Sequence, residues 1–170
     1  MATRADFSDE EWLALRVMPH AMLTALQLAA PSGWLGSRRE RKAGTAALQL
    51  AERDFGDLPL VEALMAAREE PLPAEATGAA SADEALALAE TTGRKAMRAL
   101  ERVATAAERE AWVNSVLDIG DAVARASRER HAESMDEISE PEAIVLRRVA
   151  RVLGRDDYEP VIHTPRGYSE

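Results

Sequence analysis

Residues 7–18 read FSDEEWLALRVM, and this stretch decides the fold. Ser8 followed by Glu11 is a capping box. The hydroxyl accepts from the backbone N–H three residues on, and the Glu carboxylate reaches back to the N–H of the cap. Phe7 before the cap and Trp12 at the fourth helical position form a hydrophobic staple. Trp12, Leu15 and Met18 then recur on one helical face.

The same signal recurs along the chain. Ser37/Glu40, Ser81/Glu84, Thr105/Glu108 and Ser139/Glu142 each open an apolar periodic stretch. One such pair arises easily by chance, whereas five of them predict five helix starts.

Between the starts, the apolar spacing and the breakers fix the plan. Pro19 is expected to end or kink the first helix, because it lacks an N–H and clashes with the preceding turn. A second segment, residues 20–30, continues with Leu23, Leu26 and Ala30 until Pro31, Ser32 and Gly33. The Ser37 helix runs to about Asp54 with Ala43, Ala47, Leu50 and Ala51 inward, and Gly56 follows it. A short helix over about 58–68 uses Leu60, Val61, Leu64 and Met65. Residues 69–80, EEPLPAEATGAA, read as a loop.

Three longer helices follow. The Ser81 helix turns Leu86, Ala89, Gly93, Ala96, Leu100 and Val103 inward. The Thr105 helix uses Trp112, Val116, Ile119, Val123 and Ala126. The Ser139 helix uses Ala143, Leu146, Val149 and Leu153, and Gly154 ends it. Residues 155–170 lack a period and are expected to be an extended tail packed on the surface.

The reading is therefore an all-α protein: a compact bundle of about six or seven helices in a single domain over 1–154, with a C-terminal tail over 155–170. The two ends share one plan: a capped helix beginning near a Trp, a polar loop, and a second capped helix. Duplication into two halves accounts for this, and so does the general likeness of amphipathic hairpins.

Composition agrees with the class. The chain has 170 residues, enough to bury a real core. Aromatics make up only 4%, and β-branched runs are nearly absent. There is no Cys, which excludes disulfides, thiolate metal sites and a Cys nucleophile, and which suits a cytoplasmic protein. The polar start, MATRADFSDEEW, does not read as a signal peptide. No apolar run approaches the roughly 20 residues of a membrane span.

The net charge is −9, and the whole excess of acid lies beyond residue 56. An acidic surface opposes nucleic acid and anionic membranes as bulk partners, and it suits cations or a basic protein partner.

Tests for chemistry return little. None of His20, His131 and His163 has a Glu three residues before it, as a di-iron bundle needs. His-Glu-x-x-His, phosphate-binding Gly loops and a Gly-x-Ser-x-Gly elbow are absent. No catalytic residue and no cofactor is assigned. A divalent cation is the one ligand considered, because residues 129–142 hold the densest acids; Glu133, Asp136 and Glu142 are its candidate ligands.

A basic cluster, RRERK at 38–42, lies next to Trp34. Cations at a helix start oppose the helix dipole, which points to an acidic partner. Trp34, Arg38, Arg39 and Glu40 are therefore the candidate partner-binding residues.

The ends of the chain resemble the tellurite-resistance TerB family and its relatives. FSDEEW at 7–12, Pro19, the loop leading to Glu40, and ISEPEAIVLRRVARVLG at 138–154 carry the resemblance. It implies a bundle of roughly seven helices in two related halves, with acidic loops that serve as a cation or partner site. In this sequence the first loop keeps Gly33 and Glu40 but has Ala30 or Pro31 where the family's Asp is expected. The second loop keeps Asp136 and Glu142 without a Gly.

The function implied is a TerB-like module that binds a protein partner or a cation in a bacterial stress response. One alternative is an enzyme with an inter-helix pocket around Asp118 and Asp121, where burial would raise a carboxylate pKa. Another is a homo-oligomeric scaffold, packed through the small-residue ridge at 85, 89 and 93.

Overall fold

The computed structural model describes residues 1–30, 58–74, 78–126 and 138–160. Among these the chain is helical and no strand forms. A 3-10 turn, Arg4–Asp6, precedes α1 (Asp9–Ala29). Then come α2 (Pro59–Ala66), a second 3-10 turn (Ala67–Glu69), α3 (Ala82–Val103), α4 (Ala106–Ala126) and α5 (Glu140–Val152). The expected Ser37 helix lies outside the described residues. No helix among them is long and apolar enough to cross a membrane.

The caps explain the starts. Ser8 and Ser139 form reciprocal boxes with Glu11 and Glu142. The Thr105 hydroxyl accepts from the Glu108 N–H at 3.2 Å, and Glu108 accepts from the Thr105 N–H at 3.0 Å. Ser81 departs from the plan. Its hydroxyl caps Glu84 N–H, but the Glu84 carboxylate accepts from Ala80 N–H at 2.9 Å, one residue upstream.

Pro19 does not end the first helix. α1 runs unbroken from Asp9 to Ala29, with Pro19 inside it. An interior proline costs about 3 kcal/mol. Met18, Ala21, Met22 and Leu26 on either side are almost wholly buried. Full burial of a Met or Leu side chain is worth about 1.5–3 kcal/mol, so two or three such side chains outweigh the missing bond.

α1 is the centre of the bundle. It packs most extensively on α3, and also on α5 and α4, while α3 and α4 each pack on α5. Burial therefore spreads around α1, with Ala14, Val17, Ala21 and Ala25 buried beside Leu15, Met18 and Met22. By contrast, α3 buries one stripe: Ala85, Leu86, Ala89, Thr92, Gly93, Ala96 and Leu100.

The small-residue ridge of α3 is a contact inside the chain rather than a free face. Ala85 and Ala89 are fully buried. A Cβ added at Gly93 would stand 2.9 Å from Val152 Cγ1 and 3.4 Å from Met18 Sδ. The ridge lets α1 and the end of α5 approach α3, so it is not a face left open to a second copy. Gly120 plays the same part on α4, where a Cβ would meet Met22 Cε at 2.7 Å and Leu146 Cδ2 at 2.9 Å.

Gly154 ends α5 with a φ of +78°, and Arg155 N–H returns to Ala150 O at 2.9 Å, closing the helix end. Residues 155–160 then run against α4 and α5. Arg155 donates to Asn114 Oδ1 at 2.6 Å, Tyr158 donates to Asp121, and Arg147 on α5 pairs with Glu159 at 3.3 Å.

Candidate functional site

One face of α1 stays outside the core. Asp9, Leu13, Arg16, His20, Thr24 and Gln27 follow one another at helical spacing and line two shallow grooves. The first, about 470 Å³, lies between α1, the end of α2 and Pro71 and Pro73. The second, about 400 Å³, is lined by His20, Leu23, Thr24, Gln27, Arg68 and Leu72. Glu70 borders both.

The wall opposite α1 is a strap, residues 67–73. It begins as the 3-10 turn and leaves it at Glu70, whose backbone is extended at φ −66° and ψ 136°. Pro71 and Pro73 hold the chain extended, since proline restricts both its own backbone and that of the residue before it. Leu72 pins the strap to the hydrophobic core.

Arg16 ties the strap to α1. Its Nη1 lies 2.9 Å from Glu70 Oε2, and its Nη2 donates to Glu70 O at 2.7 Å. The two partners sit in different surroundings: the Arg16 side chain is only 10% exposed, the Glu70 side chain 61%. Arg16 Nε is buried and donates to no acceptor. A guanidinium that is nine-tenths buried thus keeps one N–H unsatisfied, a costly state for a charged donor.

The upper end of the groove has an aromatic floor. Trp12 packs on Phe7 with ring centroids 5.9 Å apart, as the staple requires. The Arg4 guanidinium lies 5.3 Å above the Trp12 ring, donates to Phe7 O at 2.8 Å and pairs with Asp9. At the lower end, loss of hydration and then the neighbouring Arg16 charge hold the His20 imidazole below its ordinary pKa.

The helix starts meet at a separate corner. Glu11 Oε2 accepts from Ser8 N–H at 2.8 Å and from Arg102 Nη2 at 2.6 Å. Arg102 also donates to Asp6 O at 3.3 Å. Glu108, with no exposed surface, adds a bond from Ala2 N–H to Oε1 at 2.9 Å. The Arg102 bond, then the Ser8 N–H, lower the Glu11 pKa. Burial raises that of Glu108, but the donors from Thr105 and Ala2 outweigh it and the net direction is down. These bonds tie the N-terminus and the end of α3 to the starts of α1 and α4.

Of the residues expected to bind a ligand, only Glu142 is described. It is 2% exposed and caps α5, with Oε2 accepting from the Ser139 hydroxyl and N–H. Glu133 and Asp136, and Trp34, Arg38, Arg39 and Glu40, lie outside the described residues. Among the described residues no three His, Asp or Glu side chains gather as a metal site.

The two acids of the enzyme alternative are not a buried pair. Asp118 is exposed, and the Asp121 side chain is 23% exposed. Asp121 accepts from Tyr158 Oη and lies 3.9 Å from Arg125. Burial, followed by the hydrogen bond to Asp121, raises the Tyr158 pKa, so the phenol keeps its proton as donor. Asp121 therefore anchors the tail.

Comparison of the chain with protein-family models, curated proteins and solved structures finds no match.

The groove itself was open to sequence reading in part. The stripe 9, 13, 16, 20, 24, 27, polar except for Leu13, has helical period, but a helix expected to break at Pro19 divides it. That residues 67–73 lie across this stripe is a tertiary fact without a local signal.

Proposed function

We propose that the chain is a helical partner-binding module, TerB-like in type, acting in a bacterial stress response and using the outer face of α1 as its contact. The observation that carries the reading is the pair of grooves meeting at Glu70, walled by α1 and the strap. They are open and shallow, and they mix apolar floor with charged rim, which is the make-up of a peptide or protein contact. Arg4 is paired with Asp9 and Arg16 with Glu70 at the first of them.

A photo-crosslinking residue in place of Leu13, inside the groove, tests this in the cells that make the protein. The same residue in place of Arg98, exposed on α3, is the reference. One discrete adduct from position 13 and none from position 98 supports the reading. Equal labelling from both positions removes it.

A cation version of the same reading would use Glu133, Asp136 and Glu142. Calorimetry with calcium, magnesium and zinc tests it, and the absence of both heat and thermal shift leaves partner binding alone.

A further inference from the structure

We infer that the groove recognises an acidic, extended peptide whose carboxylate takes the place of Glu70 on Arg16, so that the strap is an internal competitor for the site. This rests on the partner-binding reading above and adds the chemistry of the partner.

The two ion-paired groups are mismatched. Arg16 is permanently charged and nine-tenths buried, so it needs an anion beside it. The anion it has, the Glu70 carboxylate, is mostly in water and sits on a segment held by Leu72 and two prolines rather than by a helix. A guanidinium offers five N–H donors in a planar fork suited to two parallel bonds with one carboxylate. Here Glu70 takes Nη1 with its carboxylate and Nη2 with its backbone oxygen, while Nε is left without an acceptor. An incoming carboxylate approaching along the fork satisfies Nε as well, once the strap has moved. The exchange replaces one anion by another, so the buried cation is never left bare.

The strap shows the shape that fits. Residues 70–73 are Glu-Pro-Leu-Pro, an extended acidic peptide with an apolar side chain two residues after its carboxylate.

Fluorescence anisotropy on the full chain tests this with two labelled peptides: three repeats of Glu-Pro-Leu-Pro, and the same peptide with Gln for each Glu. The acidic peptide is expected to bind the natural chain more tightly than the neutral one, and added salt to weaken it. E70Q, which removes the competing carboxylate, is expected to tighten the acidic peptide about five-fold and leave the neutral one unchanged. R16Q is expected to erase the difference between the peptides while circular dichroism stays helical. Equal binding of the two peptides, or no gain from E70Q, overturns the inference; E70Q keeps this outcome readable even if R16Q fails to fold. If the peptides fail while position 13 still crosslinks to a discrete partner, the acidic chemistry falls and partner binding stands. If both fail, both fall.

Discussion

Ala2 and Glu108 are 106 residues apart, and the backbone N–H of the first donates to the buried carboxylate of the second at 2.9 Å. The same carboxylate caps α4 through Thr105. Glu108→Ala therefore orphans Ala2 N–H and Thr105 N–H together. The expected cost is about 2–3 kcal/mol, read as a lower urea midpoint with an unchanged slope. Glu84→Ala, which removes an exposed carboxylate bonded to Ala80, is expected to cost about 0.5 kcal/mol or less. Similar losses for the two would show that Glu108 is only a helix cap.

Acid should loosen this corner. Asp6, Glu11 and Glu108 all titrate lower in the folded chain than in the unfolded one. The stability they add is complete above the ordinary Glu and Asp values, 4.5 and 3.8, and is lost as pH falls below them through the folded values. Glu11→Gln and Glu108→Gln are each expected to flatten the fall in urea midpoint between pH 5 and pH 3. A slope unchanged by both substitutions would place the acid sensitivity elsewhere.

His20 gives a separate step at higher pH. Its folded pKa lies below 6.5, so the unfolded chain binds the proton more readily. Stability is complete above pH 6.5, declines as pH drops through the interval down to the folded value, and levels off beneath it. In His20→Gln the midpoint should stay level across pH 5–7. The same decline in the variant would exclude His20 as its source.

Pro19→Ala should stabilise the chain by about 1–3 kcal/mol, measured by thermal unfolding, because it restores the bond to Leu15 O and removes the ring clash. A fall in midpoint would mean that α1 needs the proline's geometry to pack. This position also shows where sequence reading reaches its limit. The boxes at Ser8, Thr105 and Ser139 are present as read, because a cap is a local bargain among four residues. Whether a proline ends a helix is settled by what lies around it. Here three helices bury Met18 and Met22, and no local rule weighs that. Arg16 and Glu70, 54 residues apart, likewise meet only in the fold.

The two helix glycines should differ. Alanine at either gains about 1 kcal/mol of helix propensity. At Gly93 the tightest neighbour is Val152 Cγ1, on a half-buried side chain with room to shift, so Gly93→Ala is expected to be within about 1 kcal/mol of neutral. At Gly120 the new methyl meets Met22 and Leu146, both fully buried, and Gly120→Ala is expected to destabilise by about 1–2 kcal/mol. The reverse order in a denaturant series would show that the Met22 thioether yields more readily than Val152.

The central place of α1 has a consequence for how the molecule opens. A helix gripped by α3, α4 and α5 cannot expose its amides by fraying, because each exit requires a neighbour to leave. Its middle turns should then exchange hydrogen with solvent only when the entire chain unfolds. The strap beyond Ala67, tied to the body by Leu72 and the bonds from Arg16 to Glu70, should open more often. Its breathing would uncover the outer stripe of α1 without disturbing the inner one. One helix thus serves as both the least yielding part of the core and the rigid bed of the proposed contact face.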